Sequence, residues 1–292
     1  MDQLQSHTPK RSILYVPGSN ERALQKIKAL DADGYILDLE DAVAPNMKED
    51  ARDIITNFCR NCEHEKQKII IRINGLETQW GEEDMKAVCK LNPAAVLIPK
   101  VEKQEEVGRV DELMNDFGAI EDTKIWAMIE TPSGILNAQE IATSYDRLDC
   151  LVMGTSDLVN DLRASHTGDR TPLLYSLSHT ILAARAAGKD IIDGVHLDLL
   201  NSEGFLKSCQ QGKELGFDGK SLIHPNQIET ANQIYGNSPE DIEYAKRIIT
   251  AFDQAILDGK GVAVLDGKLI ENLHVENAKR VIQTDKIINN RK

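Results

Sequence analysis

Short apolar runs and longer amphipathic stretches alternate along most of the chain. The apolar runs are SILYV (12–16), GYILDL (34–39), KIIIRI (68–73), AAVLIP (94–99), KIWAMI (124–129), CLVMG (150–154), DIIDGV (190–195) and KSLIHP (220–225). Most are continuous rather than alternating, as in strands buried on both faces of a parallel sheet. Helix-like stretches with their own start and stop signals separate them. Asn20 is placed to cap ERALQKIKAL, and KEDARDIITNFCRN follows the second run. EKQEEVGRVDELMNDFG stops at Gly118, and RTPLLYSLSHTILAARAAG has Pro172 near its start and Gly188 at its end. NSEGFLKSCQQGKELG fills the last gap. Eight such units predict a (β/α)8 TIM barrel, with a doubly wound open sheet as the alternative.

The pattern changes after HPNQI. SPEDIEYAKRIITAFDQAILDGKG reads as one helix, capped by Ser238 and stopped by Gly259. GVAVLDGKLIENLHVENAKRVI reads as a short hairpin-like turn and a further helix. The expected division is a barrel over 1–235 and a helical extension over 236–292 that packs on the barrel or on a neighbouring subunit.

Composition narrows the function classes. A formal charge of −13 disfavours nucleic acid and anionic membrane surfaces as partners. No run approaches the roughly 18 apolar residues that span a bilayer, and MDQLQSHTPKR lacks the apolar core of a signal peptide. Cys59 and Cys62 form a lone CxxC without a second pair, so reduced thiols in a cytoplasmic protein are expected. GKS at 219–221 lacks the glycine spacing of a phosphate loop.

The candidate chemistry stands at the ends of the apolar runs. The first ends in Pro17-Gly18-Ser19-Asn20, and the second runs into Asp38, Glu40 and Asp41. The third carries Arg72 and Asn74, the fourth ends at Lys100 and the fifth at Glu130. The sixth leads to Gly154-Thr155-Ser156-Asp157, the seventh to His196 and the eighth to His224. In a barrel these ends converge on the face that carries the active site. Glu130 and Asp157 end adjacent strands, and two hard oxygen ligands with open positions suit Mg²⁺, with Mn²⁺ also fitting. Zinc would draw on His196 or His224. Asp157 or Ser156 is equally suited to cap the helix SDLVNDL. Arg72 fits a substrate carboxylate or an enolate oxygen, or an ion pair with Glu40 or Asp41. Lys100 fits a Schiff base of a metal-free aldolase, or a pairing with Glu102 or the carboxylate ring.

RSILYVPGSNER, ILDLEDAV, IRIN, IETPSG, MGTSDL and GFDGKSLIHPNQI, in this order, strongly resemble the citrate lyase β-subunit-like branch of the HpcH/HpaI aldolase family. That branch includes malyl-CoA and citramalyl-CoA lyases, and the resemblance covers about 11–285. It implies a (β/α)8 barrel with a C-terminal helical extension, assembled as a homotrimer or a hexamer. It implies Mg²⁺ held by Glu130 and Asp157, Arg72 on the substrate, and Glu40 and Asp41 holding waters of the metal. Arg22 and Lys26 become candidates for the coenzyme A phosphates, and Pro132 joins them as a substrate-binding position. An acid from a neighbour's C-terminal segment, Asp266 or Glu271, would complete the site. Many relatives carry Asp where Glu271 stands, which leaves the balance between carbon–carbon cleavage and thioester hydrolysis open.

The implied activity is cleavage or formation of a 3-hydroxy-3-carboxylate acyl-CoA thioester, giving a keto acid and an acyl-CoA. One alternative is a citrate lyase β subunit that serves an acyl carrier protein; the acidic surface does not favour docking an equally acidic carrier. Others are a malyl-CoA thioesterase and a catalytically idle scaffold. The Glu130, Asp157 and Arg72 set argues against the scaffold.

Overall fold

Eight strands buried on both sides pair in sequence order and close on themselves. The computed structural model describes residues 8–62 and 68–290. The strands are β1 (Ser12–Pro17), β2 (Gly34–Asp38), β3 (Ile69–Arg72), β4 (Ala95–Ile98), β5 (Lys124–Ile129), β6 (Leu148–Met153), β7 (Asp190–Asp193) and β8 (Gly219–Leu222), all parallel. β1 closes the barrel on β8 through the register Ile13 opposite Ser221. This is a TIM barrel, and the open sheet is excluded. The continuous apolar runs follow from it. One face of each strand fills the interior, where Ile13, Ile36, Ile70, Leu97, Trp126, Met128, Val152 and Ile192 pack together. The other face meets the helices.

The floor of the barrel is plugged by charge. Lys10 pairs with Asp190 and, at 3.1 Å, with Asp149, and its ammonium lies 5.7 Å from the Trp126 ring centroid. A buried cation is tolerated there because two carboxylates and an indole face compensate it.

The helices of this part are α1 (Glu21–Lys26), α2 (Lys48–Arg60), α3 (Gly81–Cys89), α4 (Gln104–Asp116), α5 (Pro132–Leu136), α6 (Ala138–Ala142), α7 (Thr155–Asp161), α8 (Leu174–Ala186), α9 (Ser202–Leu215) and α10 (Ile228–Tyr235). Their caps are largely those the sequence announces. Asn20 accepts from the Ala23 N–H, and Gly118, Gly188 and Gly216 all adopt positive φ. The apolar pattern did not announce α3, α5, α6 or α10. α3 begins with three acidic residues that read as surface, and α5 and α6 are five residues each, too short to show a period.

The chain divides into two compact units, Lys10–Asn232 and a second formed by the residues from Gln233 onward together with Thr8 and Pro9. In the second unit α11 (Pro239–Leu257) is capped by Ser238, whose hydroxyl accepts from the Asp241 N–H while the Asp241 carboxylate accepts from Ser238 N–H. The strands β9 (Ala263–Leu265) and β10 (Lys268–Ile270) form an antiparallel hairpin. Its two-residue turn, Asp266-Gly267, has φ of 51° and 76°, the backbone that a tight hairpin of this twist requires. α12 (Asn272–Asn290) follows, and Ile248, Phe252, Ile270 and Val275 form this unit's own core. Among the described residues no helix is long and apolar enough to cross a membrane. The five cysteines are buried and unbridged.

Candidate active site

The polar ends of the strands meet at the mouth of the barrel. Asp38 closes β2 and Arg72 closes β3, and the register places them opposite each other. The guanidinium therefore reaches straight across. Nε donates to Asp38 Oδ1 at 2.7 Å and Nη2 to Oδ2 at 2.6 Å. Its remaining nitrogen, Nη1, lies 2.9 Å from Glu40 Oε2 and 3.6 Å from Asp41 Oδ2. The Tyr15 ring lies against the guanidinium, 5.1 Å away. The expected pairing with Glu40 is present, but the bidentate partner is Asp38. Asp38 also accepts from the N–H groups of Glu40 and Ala42, so its carboxylate organises the whole loop.

A second network supports that loop from behind. The Lys48 ammonium donates to the carbonyls of Leu39 and Glu40, both at 2.8 Å, and to Asn74 Oδ1 at 2.7 Å. Asn74 donates to Asp84, which is fully buried and also accepts from Arg52 Nε. Burial lowers the Lys48 pKa against the pull of the surrounding carboxylates.

Glu130 follows β5 and is 3% exposed. Its Oε1 accepts from the Lys100 N–H at 2.9 Å. Its other side lies against Gly154, where any Cβ would fall 3.0 Å from Glu130 Cδ and closer still to Oε2 and Cβ. Burial, and next the nearby Asp157 charge, push the Glu130 carboxyl up to about 8. Asp157 lies in the first turn of α7, which starts from Gly154 with no side-chain cap. The expectation that Ser156 or Asp157 caps this helix therefore fails, and the Asp157 carboxylate is left for other partners. One is Lys100, whose Nζ lies 3.3 Å from Asp157 Oδ2 and 3.3 Å from Glu40 Oε1. Burial works to lower the Lys100 pKa, but Glu40, Asp41, Glu130 and Asp157 outweigh it and raise it. An ammonium held so firmly protonated is a poor start for a Schiff base, which needs the free amine.

Glu130, Asp157, Asp41 and Arg72 open onto one cavity of about 320 Å³ with an apolar lining from Tyr15, Met128, Met153, Val195 and Ile223. Four carboxylates line it, Asp38, Asp41, Glu130 and Asp157, together with Arg72, and Lys100 reaches Asp157 from beside it. Among the described residues no group of three or more His, Cys, Asp or Glu is arranged to hold a metal ion. The donors present are a carboxylate pair, Glu130 and Asp157. A pair of hard oxygen donors in an under-neutralised pocket fits a cation such as Mg²⁺, which keeps several positions for water and substrate oxygens.

The other expected site residues lie elsewhere. Arg22 and Lys26 are exposed on α1, one turn apart. Pro132 is the first residue of α5, whose cap is Thr131. His224 Nδ1 accepts from the Asn226 N–H, and His196 packs beside Phe205, with burial lowering its pKa. Asp266 and Glu271 belong to the second unit. Asp266 sits in the hairpin turn, 2.6 Å from Arg247, and Glu271 is exposed. Lys48 is not among the sequence candidates, and Asp38 and Gly154 stand among the polar strand ends without an assigned role. Asp38 carried a signal, since it stands in the same polar cluster as Glu40, but nothing local tells which carboxylate an arginine will choose.

The chain has relatives among known proteins. The family model described as HpcH/HpaI aldolase/citrate lyase matches residues 11–225. The (3S)-malyl-CoA thioesterase of Cereibacter sphaeroides is 44% identical over 278 residues, 95% of each chain. The citrate lyase subunit beta of Haemophilus influenzae is 35% identical, covering 95% of this chain and 97% of its own. Among solved structures, CitE from Mycobacterium tuberculosis in complex with magnesium, acetoacetate and coenzyme A superposes with a TM-score of 0.78 at 26% identity, over 95% of this chain and 98% of that one.

Proposed function

This chain belongs to the HpcH/HpaI aldolase/citrate lyase family and is an enzyme of that family, and on that premise we propose that it is a Mg²⁺-dependent carbon–carbon lyase of acyl-CoA thioesters. Its substrate is a 3-hydroxy-3-carboxylate thioester such as malyl-CoA or citramalyl-CoA, cleaved reversibly to a keto acid and an acyl-CoA. The observation that carries this reading is the convergence of Glu130, Asp157 and Arg72 on one cavity. Magnesium in two solved structures of the Mycobacterium tuberculosis relative supports the metal.

In this reading Glu130 and Asp157 hold the metal. Bound there, Mg²⁺ supplies Lewis acidity at the substrate hydroxyl and its neighbouring carboxylate. The chain's own groups do the rest. The hydroxyl proton passes to the Glu40–Asp41 pair; Asp41 lies on the cavity wall and burial raises the Glu40 pKa, which strengthens it as a base. The bond between the hydroxyl-bearing carbon and the carbon next to the thioester then breaks. Its electron pair becomes the thioester enolate. Arg72 is already aimed by Asp38, so it meets the developing negative charge without reorganising. An acid then protonates the enolate carbon, and Asp266 or Glu271 of a neighbouring copy in a trimer or hexamer is assigned that step. Arg22 and Lys26 are exposed cations suited to the phosphates of coenzyme A, and Pro132 is assigned a substrate contact.

A second reading rests on the 44% identical thioesterase. Here water attacks the thioester carbonyl in the same pocket, releasing malate and free coenzyme A. The two readings differ in products. Purified protein is given malyl-, citramalyl- and citryl-CoA with Mg²⁺, and keto acid and free thiol are followed separately. Keto acid without thiol supports the lyase, and thiol without keto acid supports the hydrolase. Activity that survives exhaustive EDTA would sink the metal mechanism, and a borohydride-trapped adduct on Lys100 would favour the Schiff-base route. Turnover of a citryl-carrier thioester alone would instead point to a citrate lyase β subunit with an acyl carrier protein.

A further inference from the structure

The chemistry above leaves Lys100 without a task, yet Lys100 touches three carboxylates of the mouth, Glu40, Glu130 and Asp157. It stands just beyond β4 with φ of 50°, a left-handed backbone that costs a residue with a side chain about 1–2 kcal/mol. That conformation aims its N–H at Glu130 Oε1 and sends its ammonium between Glu40 and Asp157. Of the cations facing these carboxylates, Arg72 is locked by Asp38, with a side chain only 8% exposed. Lys48 is held by carbonyls and Asn74. The Lys100 side chain is 47% exposed and its two ion pairs are long, so it is the movable positive charge of the mouth.

We propose that Lys100 is the binding residue for the free carboxylate of the substrate's acid half, and that before substrate arrives it competes with the divalent cation for Asp157. This rests on the reading that Glu130 and Asp157 hold Mg²⁺. Once a divalent ion neutralises Asp157, the ammonium loses one partner and gains nothing by staying. An incoming carboxylate replaces that partner at a point where Arg72 has no free fork to offer. The cation that balances the resting site thereby becomes the anchor of the anion.

The two roles demand opposite shifts when the charge is removed, which a merely structural lysine would not produce. Lys100→Met keeps the side-chain length and an L-residue at the strained position, so the N–H to Glu130 is retained. Calorimetric titration of full-length protein uses Mg²⁺ alone, then pyruvate and glyoxylate at saturating Mg²⁺. Loss of one partly exposed charge should tighten Mg²⁺ about three- to tenfold. It should weaken the keto acids about tenfold, and Lys100→Arg should stay within about twofold of wild type in both titrations. Weaker Mg²⁺ binding by Lys100→Met, unchanged keto-acid binding, or an arginine variant as impaired as the methionine one overturns the assignment. Mg²⁺ binding that is absent in wild type, or undiminished in Glu130→Ala, sinks the underlying metal reading and this inference with it.

Discussion

Gly154 lies so close against Glu130 that no side chain can stand between them. The contact joins the end of β6 to the carboxylate that follows β5, and it fixes where that carboxylate points. Gly154→Ala should therefore push Glu130 off its position. The expected result is at least about a hundredfold loss of Mg²⁺-dependent turnover, with an overpacking cost of about 1–3 kcal/mol. Steady-state kinetics and denaturant unfolding of the same preparation check both halves. Full activity in a folded variant would show that the glycine is not needed for the site.

Glu130 is expected to trade stability for function. In metal-free protein its carboxyl is pushed up to about 8, first by burial and then by Asp157. A folded pKa above the unfolded value of about 4.3 means that ionisation opposes folding. Stability then falls as pH climbs from about 4.5 to about 8. Glu130→Gln escapes this penalty. In EDTA it should melt above wild type at pH 8, with the gap closing near pH 4.5. Added Mg²⁺ should raise the wild-type midpoint and leave the variant unmoved.

Arg72→Lys tests the fork rather than the charge. An ammonium cannot reproduce two parallel bonds to Asp38 and a third contact to Glu40. We expect kcat to fall about 10²–10³-fold, the scale of losing one preorganised donor to a developing anion. KM should change less. Arg72→Met, which leaves the buried Asp38 without its cation, should also cost about 3–5 kcal/mol in urea unfolding.

A buried charge cluster that does not line the cavity gives a stability test. Asp193 is fully buried and meets Lys220 Nζ at 2.7 Å and Arg170 Nη1 at 2.7 Å. Burial would raise its carboxyl pKa, but Lys220 and Arg170 outweigh it and hold it below the usual range. Such a carboxylate contributes stability above the unfolded value of about 3.9, lost as pH falls through the folded one. Asp193→Asn should lose about 3–5 kcal/mol at neutral pH. It should also lose less on acidification than wild type, which thermal melts from pH 7 to pH 3 would record.

Much of this molecule is legible in one dimension. The eight continuous apolar runs, the punctuation by Asn20, Gly118, Gly188, Ser238 and Gly259, and the polar residue at each strand end follow from local rules. Periodicity, capping and turn chemistry act over a few residues, so they survive in the sequence. Barrel closure then brings Glu40, Asp41, Arg72, Glu130 and Asp157 to one mouth. What the sequence withheld are choices among partners. Arg72 takes Asp38 because the β2–β3 register sets them opposite. Asp157 faces Lys100 rather than capping α7, because the backbone of Gly154 already starts the helix. Lys100 reaches three carboxylates only because its own backbone turns left-handed. Hydrophobic patterning specifies which residues are buried. Register, closure and the competition of several charges in one low-dielectric pocket decide which buried groups touch, and only the folded chain resolves that competition.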